Sequence, residues 1–322
     1  METKLEIKQL RKKFIRDFNL PIQVIHSPYF ENGISLLEDE FKAQSKYNAL
    51  LLLINEHFEG SIDKFFEYRH NVINGILSYI ENCEAYKKFI NDKSVLGDYT
   101  PIIGPRELYT MQESGNFFVS YDMIKANFQV LKNIDPSIVN GCDTYEDFID
   151  GFTHIDYFKN TKQLRQETLG KLSSKRTAAI EKKVSNAFAE ELHHKMRTHG
   201  FDLFSIKTDE IIFKFKGNEE KFKEIMVHDE EFGGYKFRAN KFKLMQQEFK
   251  RHTSESRISA FIKESYLNDN KRTIHCVLDA YYSQVYKLLN GMEIEESDLV
   301  FYFDHELSKF MYPLEIVKPT IN

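Results

Sequence analysis

Phe117-Phe118-Val119-Ser120-Tyr121-Asp122 and the later run Phe201–Phe215 (FDLFSIKTDEIIFKF) decide the fold. The first is short, aromatic and β-branched, the composition of a strand, and it ends on an aspartate. The second holds two strand-like runs, FDLFSI (201–206) and EIIFKF (210–215), joined by a tight turn at Lys207-Thr208-Asp209. Between them, residues 165–199 carry Leu169, Leu172, Ile180, Val184, Ala187, Phe188, Leu192 and Met196 at helical spacing, which predicts one helix or two pieces of one. Gly200 stands where a helix-terminating glycine is expected.

Outward from this middle region the pattern changes. Gly97–Gly115, with Pro101, Gly104 and Pro105, reads as a connection. Before it, Ile62, Phe65, Phe66, Val72, Ile73, Ile76, Leu77 and Ile80 line one helical face, and Lys46–Phe58 behaves alike. Pro21 and Pro28 break the chain ahead of these helices. On the other side, Tyr235–Leu244 is a strand candidate, and Val277–Leu289 an amphipathic helix stopped by Gly291. The expected class is α+β: a helical region 1–110, a strand-bearing middle 111–234 and a mixed α/β region 235–322.

The 322 residues suffice for two or three packed units. With 42% hydrophobic and 29% charged residues the chain is globular rather than disordered. A net charge of −5 supplies no global attraction for nucleic acid, so any basic surface must be local. Cys83, Cys142 and Cys276 fit neither zinc spacing nor a disulfide framework, which points to a reducing compartment. The opening METKLEIKQLRKKF is charged and lacks an apolar signal region, and Ala49–Ile54, the longest apolar run, is too short for a bilayer. A cytoplasmic chain without membrane contact is expected. The 28 Phe, 17 Tyr and absent Trp, with the Lys, Ile and Asn content, suggest an A+T-rich source such as a phage or large virus, which would make it host cytoplasm.

Two-metal phosphoryl transfer needs carboxylates that hold two cations about 3.5–4 Å apart. An aspartate at a strand end, a basic helix opening with RQETLGKLSSKR (165–176) and an aspartate in a hairpin turn follow one another here. This order resembles motifs A, B and C of the palm-type DNA and RNA polymerases, over roughly residues 115–216. The resemblance implies a polymerase-type palm, an antiparallel sheet with helices, flanked by helical N- and C-terminal regions. It implies Asp122 and Asp209 as ligands of Mg²⁺ or Mn²⁺, with Glu210 beside them, and a nucleoside triphosphate gripped by Arg165, Lys171 and Lys175. Asn127 and Phe128 fall where such enzymes sense the sugar. The reaction would be nucleotide addition to a 3′-hydroxyl with pyrophosphate leaving.

The segment Asp122-Met123-Ile124-Lys125-Ala126-Asn127-Phe128 departs from both D-Y-S-x-x-E-x-R and D-x-x-S-L-Y-P, which leaves sugar selection open. Thr208-Asp209-Glu210 mixes the T-D-S and H-D-E forms of motif C, and the tyrosine–glycine pair of motif B is missing. Val227-His228-Asp229-Glu230 spells V-H-D-E, but helical spacing precedes it and Glu231-Phe232-Gly233-Gly234 after it does not read as a buried strand, so Asp209 is preferred.

Lys236, Arg238, Lys241 and Lys243 alternate with Tyr235, Phe237 and Phe242, a pattern suited to phosphates and stacked bases and also to an ordinary amphipathic strand. His193, His194 and His199 have no partner ligand at metal spacing. No Walker loop, G-x-G-x-x-G, nucleophile elbow or H-E-x-x-H is present. The alternatives are a palm-type nucleotide cyclase and a non-catalytic accessory protein that binds nucleic acid or protein.

Overall fold

Strand β1 (Phe117–Met123) has a neighbour on each side in the computed structural model, which describes residues 4–317 except 98, 173, 253, 268–270 and 305. The neighbours are β3 (Glu210–Phe215) and β5 (Tyr235–Arg251). Beyond β3 lies β2 (Phe201–Ile206), and beyond β5 lie β6 (Ser254–Ser265) and β7 (Arg272–His275), giving the order β2-β3-β1-β5-β6-β7. Short strands β4 (Glu230–Phe232) and β10 (Leu314–Ile316) pair with opposite ends of β5. All of these pairings are antiparallel. A separate hairpin joins β8 (Val300–Phe303) to β9 (Glu306–Lys309). The architecture is α+β.

Period-two alternation gives the sheet two unlike faces. Val119, Tyr121 and Met123 share one face with Phe213, Ile211, Ala239 and Phe237, and all are buried. The helix Ser174–Thr198 covers that face with Phe188, Ala189, Leu192 and Met196; the Phe188 and Phe237 rings are 4.4 Å apart. Gly200, at φ +86°, reverses the chain from this helix into β2. Phe118, Ser120 and Asp122 share the opposite face with Lys214, Ile212, Glu210, Phe242, Asn240 and Arg238. Leu108 and Phe204 cover its Phe118 half, while Asp122 at the other half is exposed.

The helices build a second core. Its side chains come from the N-terminal helices, including Ala43–Phe58 and Ile62–Asn82, and from the excursion between β1 and β2, which gives Phe128, Leu131, Tyr145, Phe148, Phe158 and Leu164. The expected helix at 165–199 is two: Lys162–Thr168 and Ser174–Thr198. The division expected at 234/235 is crossed by the sheet, because Phe237–Lys243 of β5 pair with the whole length of β1. At the end of V-H-D-E the chain forms a short strand that is not buried: Glu230–Phe232 pairs with the start of β5 through a turn at Gly233-Gly234, whose φ angles of +56° and +83° suit glycine. Among the described residues no helix is long and apolar enough to cross a membrane.

Candidate functional site

Asp122 is the next-to-last residue of β1, facing Glu210 across one ladder and Arg238 across the other. The β2–β3 turn closes when the Lys207 amide donates to the Glu210 carbonyl at 2.8 Å. It is then held from two sides. The Met123 amide donates to the Asp209 carbonyl at 2.8 Å, and the Ser185 hydroxyl of the long helix donates to the Thr208 carbonyl at 3.2 Å. Two aspartates remote in the chain are thereby brought near one another.

The charges show the consequence. The Asp122 side chain keeps an open edge to solvent, but the protein packed around its carboxyl strips away water. This desolvation, then Asp209 and Glu210, push it up to about 6 against the opposing pull of Arg238 and Lys162. Glu181 was not foreseen. It is buried on the long helix one turn before Ser185, and burial together with Asp209 pushes it up to about 7. The signal was a polar line through the helix, Thr177, Glu181 and Ser185 at four-residue spacing, all three buried.

Several cations surround these acids. Arg165 lies 5.6 Å from the Tyr145 ring centre, and Asp122 is among the charges acting on it. Lys162 stands one turn earlier on the same helix. Lys171 and Lys175 are exposed; the cations acting most on Asp122 are Arg238 and Lys162 instead. Lys263 of β6, also unforeseen, feels Glu210 and Asp122.

Other expected contributors are placed differently. Asn127 is half-buried at the start of the helix Ala126–Ile134. Phe128 is buried in the helical core beside Tyr145 and Phe148, because the apolar face of that helix turns inward. It is not available to a nucleotide. The basic stripe on β5 also divides. Lys236 and Arg238 are exposed on the Asp122 face. Lys241 is on the other face, buried, donating to the Lys223 and Ile225 carbonyls at 3.0 and 2.8 Å. Lys243 shares that face and pairs with Glu219 at 2.9 Å. Unbroken period-two alternation along this stretch puts the even-numbered Lys236 and Arg238 on one face and the odd-numbered Lys241 and Lys243 on the other, so no single surface can present all four.

The rival Asp229 has different work: its carboxylate accepts the Ala239 amide at 2.8 Å. Among the described residues no three His, Cys, Asp or Glu side chains form a ready-made cation cage.

No family model, curated protein or solved structure matches the chain. The functional reading therefore rests on the arrangement of these side chains.

Proposed function

We propose that the chain is a divalent-metal-dependent nucleotidyl transferase of the palm type, adding nucleotides to a 3′-hydroxyl. The observation that carries this reading is the pair Asp122–Asp209, fixed by the Met123–Asp209 backbone bond on an antiparallel sheet backed by a helix. The strand order, with the hairpin of Asp209 beside the strand of Asp122, supports it further.

The donor set suits a hard dication. Asp122 and Glu181 hold protons more tightly than free carboxyls do, from burial and from neighbouring carboxylates, and a bound cation would relieve that repulsion. A full protein cage is not required, since Mg²⁺ commonly takes one or two carboxylates together with substrate phosphates. Asp122 and Asp209 would hold it, with Glu210 alongside; when bound, it would supply charge neutralisation at the phosphates and a more acidic hydroxyl. The chain's own cations would do the rest by positioning: Arg165 and Lys162 beside the triphosphate, Arg238 and Lys236 toward a nucleic-acid strand.

The test is incubation with labelled NTPs or dNTPs, Mg²⁺ or Mn²⁺, and DNA or RNA primer–templates, with Asp122→Ala as control. Incorporation by the wild type alone is expected. A product formed without nucleic acid would assign a cyclase. No product, with nucleic-acid binding intact in Asp209→Asn, would assign a binding protein.

A further inference from the structure

Lys263 projects from β6 onto the face that carries Asp122 and Glu210. Its register partner is Leu244, two residues from Phe242, which in turn faces Phe118. The ammonium lies over two rings, 4.5 Å from the centre of Phe242 and 5.5 Å from that of Tyr109. Burial favours its neutral form, while Glu210 and Asp122 favour the charged one.

Among the described residues, however, no carboxylate comes within 4.0 Å of this ammonium, and no oxygen accepts a hydrogen bond from it. Other lysines withdrawn from water do have such partners. Lys241 has two carbonyls, Lys243 has Glu219, Lys214 has Glu113 and Lys287 has Asp298. Lys207, in the turn before Glu210, is a second cation acting on Lys263, while the aromatic side of its wall is neutral. Tyr109 stacks on His275 at 5.1 Å, and the His275 ring shares a 2.9 Å hydrogen bond with the Thr273 hydroxyl. Burial and Lys263 push His275 down to about 4, so it adds no competing charge.

We propose that Lys263 is a phosphate-binding residue of this site, its ammonium donating to a phosphate oxygen of the nucleoside triphosphate or of the nucleic-acid strand. The proposal rests on the transferase reading and deepens it. Three donors on a fixed ammonium call for a polyvalent oxygen ligand. A face lined with carboxylates repels a polyanion unless a cation stands on the same face. The two rings hold the ammonium by cation–π attraction and give its N–H donors no oxygen partner.

The test compares Lys263→Gln, Lys263→Met, which keeps an apolar stem between the rings, and Lys263→Arg. Two affinities are measured in Mg²⁺: inorganic tripolyphosphate by calorimetry, and labelled DNA and RNA primer–template duplexes by fluorescence anisotropy. A triphosphate role predicts that the Gln and Met variants lose tripolyphosphate affinity by about tenfold, with duplex binding kept. A strand role predicts the reverse, with the salt dependence of duplex binding reduced by about one ion. In either case Lys263→Arg retains most of the affinity, and all three variants melt like the wild type. The proposal is overturned if both affinities stay unchanged in Gln and Met, if Arg is as impaired as they are, or if the wild type binds neither probe. None of these readouts needs turnover, so loss of the transferase reading, shown by an active Asp122→Asn, remains a separate result.

Discussion

Asp209-Glu210 and Asp229-Glu230 are the same two letters in two settings. Asp229 has its carboxylate on the Ala239 amide at 2.8 Å, and Glu230 accepts Lys195 at 3.0 Å; both acids are occupied by the fold. Asp209 is fixed through its carbonyl, and its charge is felt by Asp122 and Glu181, which hold their protons above the ordinary carboxylate range. Glu210 stands directly across the ladder from Asp122. A carboxylate that already has an amide or ammonium is structural. Carboxylates whose near company includes other carboxylates keep a repulsion that Arg238 and Lys162 offset only in part at Asp122, and the proposed dication would relieve it.

The sharpest way to break this contrast is by turnover. Asp122→Asn and Asp209→Asn are each expected to lower nucleotide incorporation by about 10³-fold or more, without lowering the melting temperature. Asp229→Asn is expected to stay within about threefold of wild type. Equal losses at Asp209 and Asp229 would erase the distinction.

Titration tests the same point without substrate. Asp122 and Glu181 have folded pKa values above their unfolded ones, so their protonation stabilises the native state at low pH, and that contribution is lost as pH rises through about 6 and about 7. Across this window, melting temperature should fall less in Asp122→Asn and in Glu181→Gln than in the wild type. Added Mg²⁺ should raise the wild-type melting temperature more on the alkaline side of the window, and this gain should shrink in Asp122→Asn. Differential scanning fluorimetry over pH, with and without Mg²⁺, reads both.

Asp229→Ala, by contrast, should cost about 1–2 kcal/mol in urea unfolding while turnover is retained, because the Ala239 amide loses its acceptor. The smallest effect belongs to the divided stripe. Lys236→Ala should reduce the salt slope of nucleic-acid binding by about one ion, whereas Lys241→Ala should leave that slope alone and lower stability.

Much of this was legible in the sequence because local patterns sufficed. The strand ending near Asp122, the hairpin around Asp209, the glycine after the long helix and the helix of Ile62–Asn82 follow from composition and period alone. What was hidden depended on pairing. Ser254–Ser265 offers no clear strand signal, so Lys263 could not be assigned a face. Lys241 looked like its basic neighbours until the register turned it toward the carbonyls of Lys223 and Ile225. Phe128 was read by its offset from Asp122, whereas the apolar face of its helix decided its place. Glu181 was visible in principle, since a carboxylate in line with Thr177 and Ser185 on a buried helical face is unusual.

Strand β1 is laid down early and acquires both partners late. Its neighbours begin only at Glu210 and Tyr235, so a ribosome must deliver most of the chain before Val119 and Tyr121 are sheltered on either flank. A fragment ending at residue 234 would leave one side of this apolar strand bare, and bare strands recruit whatever chain arrives next. The carboxylate centre therefore cannot be excised there as a minimal unit. Such a truncation should yield aggregate rather than a smaller working protein.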